Sequence, residues 1–165
     1  MTGFNPIKAF TTDLSAEEKG RKFSKELGAG PDVYVIVARA GNRAFNRMLQ
    51  ALWKQNEQTL QAANKDTATE AEKDEGDTLS FQLVGIAMAK TILLGWGGFT
   101  NDDGTPMEYS TEKAEELLAL KDFREVISKI SGTMNNYLVA QEADNAKNSP
   151  PTLSGSSIGV ASSNG

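Results

Sequence analysis

The sequence predicts an α+β fold, mainly α-helical, with about four helices and a small N-terminal β-hairpin. Three observations predict it. Val33-Tyr34-Val35-Ile36-Val37 is an unbroken β-branched and aromatic run behind the turn cluster Gly28-Ala29-Gly30-Pro31-Asp32. From Phe45 onward, apolar residues recur at helical spacing through several segments. No later stretch has the composition of a second strong strand, so the sheet is expected to be small.

The elements follow in order. Ser15 and Glu18 have capping-box spacing and predict a helical turn at Ser15, which Gly20 cuts short. Arg21–Leu27 suits either period, and the economical arrangement pairs it with the 33–37 strand. Gly41 and Asn42 end that strand and open an amphipathic helix. Its Phe45, Met48, Leu49, Leu52, Trp53, Asn56 and Leu60 fall at i, i+3, i+4, i+7, i+8, i+11 and i+15. Gln55–Thr78 is polar and mostly acidic, and reads as a frayed helix end followed by a solvated loop. Leu79–Leu94 is apolar almost all round, which predicts a buried helix. Gly95–Pro106 reads as a loop. Ser110 is placed to cap the next helix, with Glu112 in its first turn and Ala114, Leu117 and Leu118 inside. Asp122 and Glu125 repeat the capping spacing, and Phe123, Val126, Ile127, Ile130, Met134, Tyr137 and Leu138 continue at helical period. One domain, 1–148, is expected, followed by an uncharged Ser/Gly/Pro-rich tail, 149–165, expected to be disordered.

Composition narrows the chemistry. The 165 residues include no cysteine and no histidine, which excludes disulfides, thiolate nucleophiles, zinc ribbons and every mechanism with a histidine base. Lys plus Arg total 17 against 22 Asp plus Glu, a net charge of −5, which argues against a nucleic-acid partner. The N-terminus has no apolar leader core. The most apolar stretch, Leu79–Phe99, is broken by Gln82, Lys90 and four glycines and does not read as a membrane span. A cytoplasmic location is therefore expected.

Candidate sites are sparse. With Gly104 at the sixth position of a calcium loop, Phe99 and Ser110 occupy positions one and twelve, where carboxylates are needed. Asp103-Gly104 reads instead as an Asx-type turn. Gly28-Ala29-Gly30 and Gly95-Trp96-Gly97 do not complete a dinucleotide fingerprint, because Val33 and Thr100 stand at its last glycine. The carboxylate neighbours Asp102/Asp103 and Glu115/Glu116 diverge as adjacent residues do. No cofactor, metal or catalytic group is expected. Trp53 and Trp96 are the large aromatics to follow, each expected in the core rather than on a contact surface.

The order of segments nevertheless has a family character. Val37-Ala38-Arg39-Ala40-Gly41-Asn42 is followed by Leu94-Gly95-Trp96-Gly97-Gly98-Phe99, the turn at Asp103-Gly104, Pro106, Tyr109-Ser110, an Asp122-Phe123-Arg124 restart and Ala146-Lys147-Asn148. Over about Lys22–Asn148, the chain resembles the tail assembly chaperones of long-tailed, siphophage-type bacteriophages. The acidic 64–77 segment and the final tail are longer than that pattern. The matching positions are Arg39, Gly41, Asn42, Trp96, Asp103, Gly104, Tyr109 and Ser110, as partner-binding or structural residues.

The resemblance implies a non-catalytic protein that binds and solubilises the tape measure protein while tail tube protein assembles around it. It implies action in the host cytoplasm and absence from the mature virion, and leaves room for self-association. It also implies a longer frameshifted form that recruits the tube protein, with Lys147-Asn148 as a candidate slippery site. The alternative within the same biology is a head–tail connector or tail terminator retained in the particle. A small carboxylate hydrolase is the third class.

Overall fold

The computed structural model describes residues 3–139. Asn5 caps a short helix, α1 (Pro6–Phe10), accepting the Lys8 N–H at 3.1 Å. The next helix, α2 (Leu14–Lys19), is capped by Asp13 rather than Ser15. The Asp13 carboxylate accepts from the Ser15 and Ala16 N–H groups at 2.9 and 3.2 Å, and a charged acceptor at a helix start outcompetes a hydroxyl. Gly20 ends α2 at φ +79°, with Val37 so near that a Cβ would lie 2.9 Å from its carbonyl carbon. That close approach delivers the chain onto the sheet.

Three strands form one antiparallel sheet in the order β1-β2-β3, where a hairpin was expected. In β1 (Arg21–Phe23), Arg21 faces Val37 and Phe23 faces Val35 of β2 (Tyr34–Val37). Only this part of Arg21–Leu27 pairs; Lys25–Leu27 is a 3-10 turn ending at Gly28. The strand missing from the sequence reading is β3 (Leu93–Gly97), which pairs with β2 through Val35 opposite Trp96. Its two glycines hide it from any propensity argument. Val35 and Val37, fully buried in β2, need hydrogen-bonded neighbours on both sides, and that requirement decides the conformation of Leu93–Gly97.

Asn42 opens α3 (Arg43–Gln55), which continues past Asn56 into α4 (Glu57–Ala63). Helix α5 (Glu70–Thr91) then runs back antiparallel, with Gly76 against Ala63 at one end and Asn42 against Thr91 at the other. It starts well before Leu79, because Thr69 and Glu72 form a complete capping box with bonds of 2.9 and 3.2 Å. Most of the acidic segment is therefore helical rather than a solvated loop. Ser110 caps α6 (Thr111–Leu118) as expected, through a 3.1 Å bond from the Lys113 N–H. The last helix, α7 (Lys121–Gly132), starts after Leu120 without a side-chain cap, so Asp122 sits inside its first turn. A 3-10 turn, Met134–Tyr137, closes the described chain.

The described residues thus hold seven α-helices rather than about four. The extra ones are α1 and α2, too short to show a period, and α4, divided from α3 at Asn56. The expected domain boundary at 148 and the 149–165 tail lie outside the described residues.

The core lies between the sheet and α5–α7: Val35, Val37, Ile92, Leu93, Leu118, Ile127 and Ile130 are buried there. Tyr137 is fully buried with them and donates to the Val37 carbonyl at 3.1 Å. Arg124 is buried as well. Its guanidinium donates to the carbonyls of Leu118 (2.8 Å) and Phe81 (2.7 Å), lies 3.4 Å over the Phe81 ring and fills the space that Gly85 leaves. One side chain so joins α5, α6 and α7. Burial holds its pKa below the ordinary arginine value.

Candidate functional site

The eight positions singled out in the sequence fall into two groups that meet at one place, the junction of α5 with β3. The first group lies where β2 turns into α3. Gly41 takes φ +75°, a left-handed conformation that an ordinary residue adopts at a cost. Asn42, 7% exposed, accepts the Phe45 N–H at 2.9 Å through its oxygen and donates to the Thr91 carbonyl at 3.3 Å through its amide. The Arg39 guanidinium pairs with the Glu17 carboxylate and donates to Thr12 Oγ1 at 3.2 Å, while its backbone N–H donates to the Glu17 carbonyl at 2.9 Å. Burial raises the Glu17 pKa, but the bonds from Thr12 and Arg39 with the arginine charge outweigh it, and the net shift is downward.

The second group surrounds Trp96. Its indole N–H donates to the Met107 carbonyl at 2.8 Å. Phe99 stacks on the ring at 5.2 Å between centroids, and Tyr109 meets it edge-on at 4.9 Å. The Tyr109 hydroxyl donates to the Leu93 carbonyl at 3.0 Å, and burial raises its pKa. Between these aromatics the chain turns at Asp103-Gly104. The Asp103 carboxylate accepts from Thr105 Oγ1 at 2.6 Å and the Thr105 N–H at 3.0 Å, which lowers its pKa, and Gly104 has φ +83°. These are the bonds of an Asx turn, and Asp102 takes no part in them. Ser110 follows directly as the α6 cap.

Both groups act on three consecutive carbonyls. Asn42 takes that of Thr91, the Ala38 N–H takes that of Ile92 at 2.8 Å, and Tyr109 takes that of Leu93. A helix end leaves its last carbonyls, here those of Thr91 and Ile92, without partners, while Leu93 already opens β3, and the three partners come from both sides of the sequence. Six of the eight positions build this junction or the loop over it; Gly41 sets up Asn42, and Arg39 fastens α2 against it. Their arrangement holds a fold together and presents no reactive pair. Among the described residues, no group of three or more acidic side chains is placed to hold a metal ion. No described helix is long and apolar enough to cross a membrane.

Surfaces that could meet a partner lie elsewhere. Phe4, Ile7, Phe10 and Leu14 are 74%, 79%, 64% and 74% exposed along α1 and the start of α2, with Phe4 and Phe10 edge-to-face at 6.3 Å. Periodicity could not find this face, because α1 is barely longer than one turn, but four large apolar residues in a polar segment were a readable signal. Of the two tryptophans, Trp96 is in the core as expected, whereas Trp53 is 45% exposed.

Fold and site together define a small α+β protein with structurally fixed motifs and, among the described residues, exposed apolar faces. Residues 36–148 match the family model described as YdaY prophage protein, and the chain belongs to that family. All eight motif positions lie within the match, and the exposed α1 face lies before it. No curated protein and no solved structure matches the chain.

Proposed function

We propose that this prophage-family protein is a tail assembly chaperone, which binds and keeps soluble the tape measure protein and helps recruit tail tube protein. In this reading it works in the host cytoplasm, carries out no catalysis and is left out of the finished virion. The observation that carries it is the row Phe4, Ile7, Phe10 and Leu14, large apolar side chains held in water on an ordered segment. Monomeric proteins seldom present such a face unless another chain covers it. The order of sequence motifs and the phage origin of the family support the same reading.

The test is co-expression of the full chain with the tape measure protein of the same phage, followed by solubility measurement and co-purification. The tape measure is expected to stay soluble and to carry many copies of this chain. A Phe4→Ser, Ile7→Ser, Phe10→Ser variant should melt within about 0.5 kcal/mol of the parent, since these side chains pack on little, yet leave the tape measure insoluble. Precipitation of the tape measure with the parent chain would sink the proposal. So would recovery of the chain from purified virions, which would favour a connector or terminator.

A further inference from the structure

The hairpin made by α3–α4 and α5 carries a second feature, separate from the α1 face. An open groove of ≈ 590 Å³ runs along it, lined by Trp53, Lys54, Glu57, Leu60, Gln61, Asn64 and Ser80. Across the break at Asn56, Trp53 at the end of α3, Glu57 and Leu60 on α4 and Asn64 at its C-cap line one side of the groove. Trp53 and Leu60 stand seven residues apart on it, the spacing by which a groove takes the apolar stripe of another helix.

Charge specifies the occupant. Asn56–Leu79 contains seven carboxylates and two lysines, a net −5, which equals the charge of the whole chain; the other residues hold fifteen of each sign. Lys73, one of the two lysines, lies 3.6 Å from Glu70 and is locally neutralised. The hairpin tip is therefore the source of the molecule's long-range field, which steers cations toward the groove and repels another copy of the same tip. We infer that this groove docks a basic amphipathic helix, its apolar face on Trp53 and Leu60 and its Lys or Arg side chains beside Glu57 of the groove and Asp77 of the adjoining hollow, which shares Leu60, Asn64 and Ser80 with it. The inference shares with the proposed function only the premise that the chain works by binding.

Two designed helical peptides of equal length, one of Leu and Lys and one of Leu and Glu, test it against the full-length protein by calorimetric titration. The Leu/Lys peptide is expected to bind one to one, weakening at least about tenfold in Trp53→Ala, as a buried aromatic anchor requires. A Glu57→Lys, Asp77→Lys variant, changed only at exposed positions, should lose a similar factor. So should the parent between about 50 and 500 mM salt, because screening shortens the field. The Leu/Glu peptide should not bind. Equal binding of both peptides, no binding of either, or unchanged Leu/Lys affinity in Trp53→Ala would overturn the inference. Dimerisation through the hairpin at high salt, abolished by Trp53→Ala, would also overturn it in favour of a second copy. A chain that binds Leu/Lys peptide but leaves the tape measure insoluble keeps this groove and loses the proposed function; the reverse result separates them equally.

Discussion

Asn42 shows how much one side chain can do at a junction. Its oxygen caps α3 while its amide reaches the end of α5, so a single buried group serves two helix termini. Replacing it with alanine should cost about 2–3 kcal/mol, roughly 1 for the cap and the rest for the uncovered Thr91 carbonyl. Asn42→Ser restores only the cap and should recover about 1 kcal/mol of that loss. Denaturant unfolding of the three proteins checks this: equal losses in the two variants would show that the cap contributes nothing, and full recovery in Asn42→Ser that the Thr91 bond contributes nothing. The cap was legible because an Asn after Gly41, just before an amphipathic run, has few other uses. Arg124 was not. A guanidinium beside Asp122 and Glu125 reads as a surface residue, and its only trace in the sequence is Gly85, a residue in another helix that yields it space.

Among the elements, α4 and α5 approach each other closely, and Gly76 makes it so. A Cβ at Gly76 would lie 2.2 Å from the Ala63 Cβ, which forces the helices apart. Gly76→Ala gains about 1 kcal/mol of helix propensity and loses about 1–3 to overpacking, so the net change should be a loss of about 1 kcal/mol. The loss should be local. Amide exchange is expected to quicken in α4 and the first half of α5 while β2 stays protected, and Ala63→Gly in the same chain should relieve it. An unaltered exchange pattern would mean that the hairpin has slack at this contact. The sequence showed α3 and α6 because their apolar spacing is regular, and the interior of α5 because it is apolar almost all round. It concealed β3, which owes its conformation to β2 rather than to its own residues, and it concealed the acidic turns of α5, which rest on a capping box instead of an apolar stripe.

Across the whole molecule, Tyr137 draws the far end of the described chain to the central strand. Its hydroxyl reaches Val37, a hundred positions away, and its ring lies 6.1 Å from that of Phe23. Burial raises the phenol pKa above its ordinary 10.0. A raised folded-state pKa means stability that is complete below about pH 10 and falls as pH rises beyond it, because the unfolded chain ionises first. Tyr137→Phe should cost about 1 kcal/mol at neutral pH and remove this tyrosine's share of the alkaline loss. Thermal melts from pH 7 to 11, parent beside variant, would show it; parallel curves would refute it.

The three carbonyls where α5 passes into β3 have a consequence for the order in which the structure can be made. Nothing within Lys90–Leu94 tells a growing chain to stop coiling, which is why that stretch reads as helix through Leu94. Two of the partners that end it, Ala38 and Asn42, have long left the ribosome when Thr91 emerges, but Tyr109 is still inside the exit tunnel. The boundary between helix and strand is thus settled only after the Asp103-Gly104 turn and Tyr109 have followed it out of the ribosome. Until then, Ile92–Gly97 is free to prolong the helix, and the central strand waits with one edge open.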